Sequence, residues 1–365
     1  MNNSLWSFNS SFEPFYNSRT QMLRKLRGLL LSPCACNFIG SAPCALYTGC
    51  PMYKVGPHSS KLFSTTTPLN STVAFALVFT VPSSLKVGAA LMASPKLFAA
   101  PAAGNVVGLQ LYSLRDQLPK DVKGWIGKVA AAGYKEVEPF GYSKKDGFWG
   151  LDAKAFSALL KANGLTTASA HFGMDQYFVE GKTDDLQSYI EAANITGMSY
   201  VIIPSVNEDV LKTASDFMKA ADKMNKAAEI CKKSGLMLGY HNHNFEWKPV
   251  NGTNFYEVLM KETDPALVHM EMDIYWVVRA GQDPVKLFNK YPGRYALCHI
   301  KDMYKPNHDL NTEIGKGTID FKTILSHRKQ AGLQHFIVEQ ENYQHIDPFT
   351  SIKESCAYCK NVLMV

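Results

Sequence analysis

From residue 105 to the C-terminus the chain changes its hydrophobic period again and again. Short runs rich in β-branched, aromatic and other apolar residues alternate with stretches at helical spacing. The runs predict strands at Val106–Tyr112, Lys135–Glu138, Thr166–Ala170, Tyr200–Ile203, Leu236–His241, Leu267–Met272, Tyr295–His299 and His335–Val338. Helices are predicted at Asp121–Ala132, Leu151–Asn163, Thr183–Thr196, Ala214–Ser234, Asn254–Lys261, Val285–Tyr291, Phe321–Gln330 and Pro348–Leu363. Glycines at 133, 164, 197, 235 and 332 stand where helices should stop. Strands that alternate with helices must run parallel. Eight such units in about 260 residues is the count and size of a (β/α)8 TIM barrel. The rival, an open doubly wound sheet, would usually carry a Gly-rich turn after its first strand. Here that strand runs into Leu111-Tyr-Ser-Leu-Arg115 with no glycine.

The first 104 residues behave differently. They hold eight Lys/Arg and a single acid, Glu13, for a net +7, whereas the remainder carries 30 basic and 31 acidic residues, a net −1. The overall +6 of the 365-residue chain therefore belongs to its beginning. This segment is rich in Ser, Thr, Pro and Asn without a sustained period, which predicts a poorly ordered N-terminal extension, residues 1–104, ahead of a barrel at 105–365. Its Arg-rich, acid-poor start has the composition of an organelle presequence. Residues 86–103 look like the end of a secretory signal, with Ala100-Pro-Ala102 as an A-x-A site, so the expected location is secreted or periplasmic if that segment is a signal, and cytoplasm or an organelle otherwise. Pro82 and Lys86 interrupt the apolar run at 73–81, which argues against a stable membrane span. Cys356 and Cys359 form a C-x-x-C without a second pair at zinc-ribbon spacing; plain helix cysteines are the expectation.

Barrel active sites lie at the C-terminal ends of the strands, and polar residues recur there. Gln110, Tyr112 and Arg115 follow the first strand, Glu138 ends the second and His171 the third. His241, His243 and Glu246 follow the fifth, Asp273 the sixth, His299, Lys301 and Asp302 the seventh, Glu339 and Glu341 the eighth. Alone, each has a dull explanation: a hydrogen-bonded structural histidine, or an aspartate capping a helix. Together, four neighbouring strand ends each present a histidine or a carboxylate. Burying so many ionisable groups side by side is costly unless they pair or bind a cation. Two carboxylates with two imidazoles suit Mn²⁺, Co²⁺, Zn²⁺ or Fe²⁺. Strand alternation places His241 and His243 on one face, so one of them or both can point at the barrel axis.

In this order the strand-end segments resemble the xylose isomerase-like superfamily of barrels. They are Gly108-Leu-Gln-Leu-Tyr-Ser-Leu-Arg115, Gly133-Tyr-Lys-Glu-Val-Glu138, Ser169-Ala-His171, Gly239-Tyr-His-Asn-His-Asn-Phe-Glu246, Met272-Asp-Ile-Tyr-Trp276, His299-Ile-Lys-Asp302, Gly315-Lys-Gly-Thr-Ile-Asp-Phe321 and Val338-Glu-Gln-Glu341. The superfamily includes sugar phosphate isomerases and epimerases, inosose dehydratase and endonuclease IV. The resemblance covers about residues 105–365. It implies one divalent ion, Mn²⁺ foremost (with Mg²⁺, Co²⁺, Zn²⁺ or Fe²⁺ as alternatives), held by Asp273, His299 and Glu339. The epimerases add a glutamate from strand five that is also an acid/base. Here His241-Asn242-His243 stands in its place, so the fourth ligand is His241, or else Glu246 reaching back. The loss of that glutamate weakens a two-glutamate epimerisation. Barrels of this family often pair, so the resemblance allows a homodimer.

The expected activity is that of a metal-dependent sugar isomerase or epimerase. A proton is removed next to a carbonyl to give an enediolate on the metal. Glu339 or Glu246 is the expected base, with His171 and Lys301 moving protons or holding hydroxyls. Tyr112, Glu138, His243, Trp276 and Asp302 are the expected substrate contacts, with Phe245 beside Trp276 against a sugar ring. The alternative is a lyase or dehydratase on a keto-sugar or 3-keto-glycoside. Gly315-Lys-Gly-Thr318 is either a cradle for an anion or a plain turn. Nucleic acid is not expected as a partner: position 276 is Trp rather than the histidine of the DNA-repair enzyme, and the barrel is near neutral. A sugar-binding barrel without catalysis is the remaining reading.

Overall fold

The computed structural model describes residues 106–343 and 345–364. The expectations for residues 1–104 lie outside them. Eight parallel strands form the barrel: β1 (Val107–Gln110), β2 (Glu136–Glu138), β3 (Ser169–His171), β4 (Tyr200–Ile203), β5 (Met237–His241), β6 (Val268–Asp273), β7 (Tyr295–Ile300) and β8 (His335–Val338). The ladder runs β2-β1-β8-β7-β6-β5-β4-β3 around the sheet. Two bridges, Glu136 with Thr166 and Phe140 with His171, bring β2 back to β3, and the Val137 amide donates to the Thr166 carbonyl at 2.9 Å. A TIM barrel is therefore the fold.

The helices lie where the period changes, within two residues of the expected ends. Most open on a side-chain cap: Asp121, Asp152, Thr213, Asn254, Asp283, Asp320 and Asp347 accept first-turn amides. The predicted helix at 321–330 is broken at His327, giving Phe321–Ser326 and Arg328–Ala331. The last helix ends at Tyr358 and continues as one π turn to Leu363. Two short helices, Asp175–Glu180 and Ile274–Arg279, and a two-stranded ribbon, Asp302–Met303 with Asn311–Thr312, have no counterpart in the period analysis. Among the described residues no helix is long and apolar enough to cross a membrane.

The outer faces of the strands join the helices in one large core. Tyr200, Ile202, Leu297 and Ile337 belong to a separate small cluster inside the barrel. Space there is short. A Cβ on Gly239 would stand 2.4 Å from Ile202 Cδ1, so the inner face of β5 can carry nothing larger at that point. On β7 and β8 the residues that follow on the same inner face are His299 and Glu339, and the ionisable groups of the rim begin there.

Candidate active site

Strand alternation aims one set of side chains inward: His241 from β5, Glu271 and Asp273 from β6, His299 and then Lys301 from β7, and Glu339 beyond β8. All are buried. They form two tiers. In the upper one His241 Nε2 lies 3.8 Å from Asp273 Oδ2, and His299 Nδ1 lies 3.2 Å from Glu339 Oε2. Lys301 Nζ stands 3.3 Å from Glu339 and 3.9 Å from Asp273, and also donates to Glu341. One donor atom each from His241, Asp273, His299 and Glu339 falls within 4.8 Å of the others. Asp273 Oδ2 is buried without any hydrogen-bond partner. Such an orphaned anionic oxygen is costly in a protein interior unless a cation answers it. A divalent ion therefore fits these donors, two imidazoles and two carboxylates.

The lower tier lies one side chain deeper. Glu271 Oε2 is 2.7 Å from His171 Nε2, 3.0 Å from His241 Nδ1 and 3.3 Å from His299 Nε2. Glu138 Oε2 is 2.7 Å from His299 Nε2 and 3.4 Å from His171 Nε2, and it accepts from Gln110 Nε2 at 2.8 Å. The rings of His171 and His299 stack, with centroids 5.3 Å apart.

Charge is divided unevenly among these groups. Burial works to raise the Glu138 carboxyl, but the imidazoles of His171 and His299 outweigh it and bring it to about 2. Glu271 goes the other way: burial, and then the neighbouring Glu138 charge, push it up to about 7. Burial lifts Asp273 to about 7 against the pull of Lys301. Glu339 is held well below the usual carboxylate range because Lys301 and His299 overcome its desolvation. His241 is kept neutral by burial and by the other histidines. Burial lowers His243 to about 3, with Lys301 adding to the effect. Lys301 rises above its ordinary value despite burial, because Glu339, Glu341 and Asp273 surround it. It stays an ammonium and serves as a hydrogen-bond donor; it does not act as a base.

Several expected residues are placed elsewhere than expected. Glu246 sits on the helix side of β5. Its carboxylate accepts from the Tyr240 hydroxyl at 2.8 Å and from the His243 amide at 2.9 and 3.0 Å, which keeps it away from the ion donors. His241, not Glu246, is the strand-five residue that stands with Asp273, His299 and Glu339 in the donor cluster. Asp302 is turned into its own loop, where Oδ1 and Oδ2 accept from the amides of Met303, Gly315, Gly317 and Ile319 at 2.8–3.2 Å. A carboxylate so occupied is unavailable to substrate, and the same bonds make Gly315-Lys-Gly-Thr318 a pinned turn rather than an anion cradle. Glu138 and His171 lie in the lower tier, bonded to other side chains. Cys356 and Cys359 are buried free thiols raised by burial.

The remaining expected contacts gather at the mouth. Trp276 lies 5.6 Å from His243 and 5.1 Å from the Lys301 ammonium, measured to the ring centroids, and Tyr275 is 5.3 Å from that ammonium. Phe245 stacks on His243 at 6.1 Å. His243 Nδ1 and Trp276 Nε1 are buried without a hydrogen-bond partner. Tyr112 is half-buried under the Arg115 guanidinium at 4.9 Å and meets Phe140 edge-on at 5.0 Å. Glu271 is the residue that strand-end reading passes over, although it is two positions back from Asp273 and so on the same inward face.

The family model described as xylose isomerase-like TIM barrel matches residues 126–362. The chain belongs to this family. Among solved structures, a sugar phosphate isomerase/epimerase from Parabacteroides distasonis superposes with a TM-score of 0.63 at 29% identity, covering 75% of this chain and 99% of that one. A probable 3-DHS dehydratase from Bacillus anthracis shares the fold alone, with a TM-score of 0.57 at 14% identity, covering 70% and 99%. The inosose dehydratase of Geobacillus kaustophilus is 27% identical over 191 residues, 48% of this chain and 60% of the relative. That of Clostridium tetani is 30% identical over 100 residues, 27% of this chain and 33% of the relative. The chain thus matches between a third and three-fifths of the length of these two dehydratases.

Proposed function

We propose that the barrel is a divalent-metal-dependent enzyme that removes the proton next to a carbonyl of a keto-sugar or cyclic polyol ketone and then expels a β-hydroxyl as water. His241, Asp273, His299 and Glu339 would hold the ion, Mn²⁺ foremost, which supplies Lewis-acid polarisation of the carbonyl. Glu339, ionised and at the open end of the site, takes the α-proton. The Lys301 ammonium, 3.3 Å from Glu339, donates a hydrogen bond to the oxygen on which charge develops. Glu339 then returns its proton to the departing hydroxyl, so that the substrate leaves as an enone plus water. Trp276 and Phe245 offer apolar faces to the ring, and His243 Nδ1 and Trp276 Nε1 offer partners to its hydroxyls.

The observation that carries this reading is the imidazole of His241 at the fourth place of the donor set. One carboxylate can serve a same-face elimination, whereas epimerisation needs an acid and a base on opposite faces of the carbon. The relatives named inosose dehydratase support the same choice. The Parabacteroides neighbour favours a second reading, isomerisation, in which the shared proton is delivered to the adjacent carbon instead.

Incubating the purified chain with Mn²⁺ and a panel of ketoses, inososes and 3-keto-glycosides in D₂O tests this. Loss of water from one substrate class supports dehydration; deuterium retained at an α-carbon without such loss supports isomerisation. Asp273→Asn and His299→Ala should each abolish both bound metal and turnover. Full activity in either variant rejects the site.

A further inference from the structure

Four buried side chains outside the ion donors have no task in the chemistry above: Glu271, Glu138, His171 and Gln110. Their geometry is specific. His241 faces Glu271 with Nδ1 and Asp273 with Nε2, at 3.0 and 3.8 Å. His299 uses its nitrogens the other way round, with Nε2 on Glu138 at 2.7 Å and Nδ1 on Glu339 at 3.2 Å. A neutral imidazole, as in His241, donates through one nitrogen and keeps a lone pair on the other. His299, raised despite burial by Glu271, Glu138 and Glu339, donates through both until an ion displaces the proton at Nδ1.

From this we infer that Glu271 and Glu138 are positioning residues whose carboxylates hold the N–H of His241 at Nδ1 and of His299 at Nε2, so that each ring offers its opposite nitrogen to a metal. His171 contacts both carboxylates, 2.7 Å from Glu271 and 3.4 Å from Glu138. Gln110 donates its amide to the same Glu138 oxygen at 2.8 Å.

The lower tier also contains four atoms at metal-like spacing, His171, His241, Glu271 and His299, but two features disqualify it as an ion site. Donors that share an ion through bonds of roughly 2.1 Å stand about 3.0–3.4 Å apart. Glu271 Oε2 sits closer than that to His171, at hydrogen-bond distance. An ion there would also need the Nδ1 of His241 and the Nε2 of His299, whose partner nitrogens face the upper donors. The lower tier is therefore held together by protons. Carboxylates behind metal-bound histidines typically contribute 10- to 100-fold in affinity.

This inference rests on the metal reading above, and its test separates the two. In the metal-free, ¹⁵N-histidine-labelled chain, long-range ¹H–¹⁵N spectra should show His241 as the Nδ1–H form, assigned by the loss of its signals in His241→Ala. Glu271→Leu should lose that fixed form and bind Mn²⁺ 10- to 100-fold more weakly by calorimetric titration. Glu271→Gln, which can keep an oxygen in the accepting place, should retain both the form and most of the affinity. A wild-type His241 in the Nε2–H form overturns the inference even if Glu271→Leu does not fold, and so does wild-type Mn²⁺ affinity in a folded Glu271→Leu. A wild-type chain that binds neither Mn²⁺ nor Zn²⁺ overturns the functional reading instead, and leaves the spectra to decide this one.

Discussion

Replacing Lys301 with methionine is the sharpest test of the electrostatics of the site. The two side chains have similar length and volume, so the change removes a charge and little packing. In the wild-type chain the ammonium is fully buried, 3.3 Å from Glu339 and 3.9 Å from Asp273, and it donates to Glu341. The variant would keep these three carboxylates with only imidazoles to answer them. Removing one partner of a buried ion pair costs about 3–5 kcal/mol. For a barrel of this size each kcal/mol is worth roughly 2 °C of melting temperature, so Lys301→Met should melt roughly 6–10 °C below wild type in EDTA. A divalent ion brings positive charge to the same oxygens, so Mn²⁺ should raise the melting temperature of the variant by more than it raises that of wild type. Thermal melts followed by far-UV circular dichroism, with EDTA and then with excess Mn²⁺, measure both quantities. A loss of less than about 1 kcal/mol in EDTA, or equal Mn²⁺ responses, would refute the claim that Lys301 and the ion share these carboxylates.

Other consequences can be checked on folded protein. Gly239→Ala should cost about 1–3 kcal/mol by overpacking against Ile202, and adding Ile202→Val should recover part of that loss in urea titrations. Asp302→Ala removes the acceptor for four loop amides; amide hydrogen exchange at Gly315, Gly317 and Ile319 should speed up by at least tenfold while exchange in the barrel strands stays slow. Glu246 is raised by burial from its ordinary 4.5 to about 7. The folded chain therefore holds a proton that the unfolded chain has released, and stability falls as pH climbs from about 4.5 to about 7. Glu246→Gln lacks this titration, so its stability relative to wild type should grow by up to about 3 kcal/mol across that window; denaturant midpoints that stay parallel from pH 5 to 8 would contradict the assignment.

The barrel was legible in the sequence because period and punctuation agree. Strands β4 and β8 run over the residues that the apolar runs predict, and glycines end the helices where expected. Asp273, His299 and Glu339 were legible as a group for a related reason: each lies at the end of a buried strand, where only a few roles are open to a charged side chain. Glu271 escaped because attention to strand ends stops one inward position too soon, and a carboxylate in mid-strand reads as an interruption of an apolar run. The placement of Glu246 apart from the ion donors was hidden for the opposite reason. Beyond His241 the strand gives way to a 3-10 turn, alternation no longer tells which side a residue faces, and Tyr240 on the outer face captured it. The helix at Ile274–Arg279 was hidden because it is short and its five apolar residues follow Asp273 directly, too few to show a helical period.

The pinned turn around Asp302 has a consequence for how this barrel can vary. Lys301 and Asp302 are neighbours in sequence but face different ways, one into the site and the other into the loop. The four amides on Asp302 fix the backbone at the point where the chain leaves the barrel. Beyond this anchor the strip from Tyr304 to Leu310 is largely exposed. Exchange or lengthening of that strip can reshape the surface next to the mouth without moving the ammonium. The anchor thus separates a part of the rim that is free to diversify from a part that must hold still, and related barrels with different ligands would be expected to differ first in that strip.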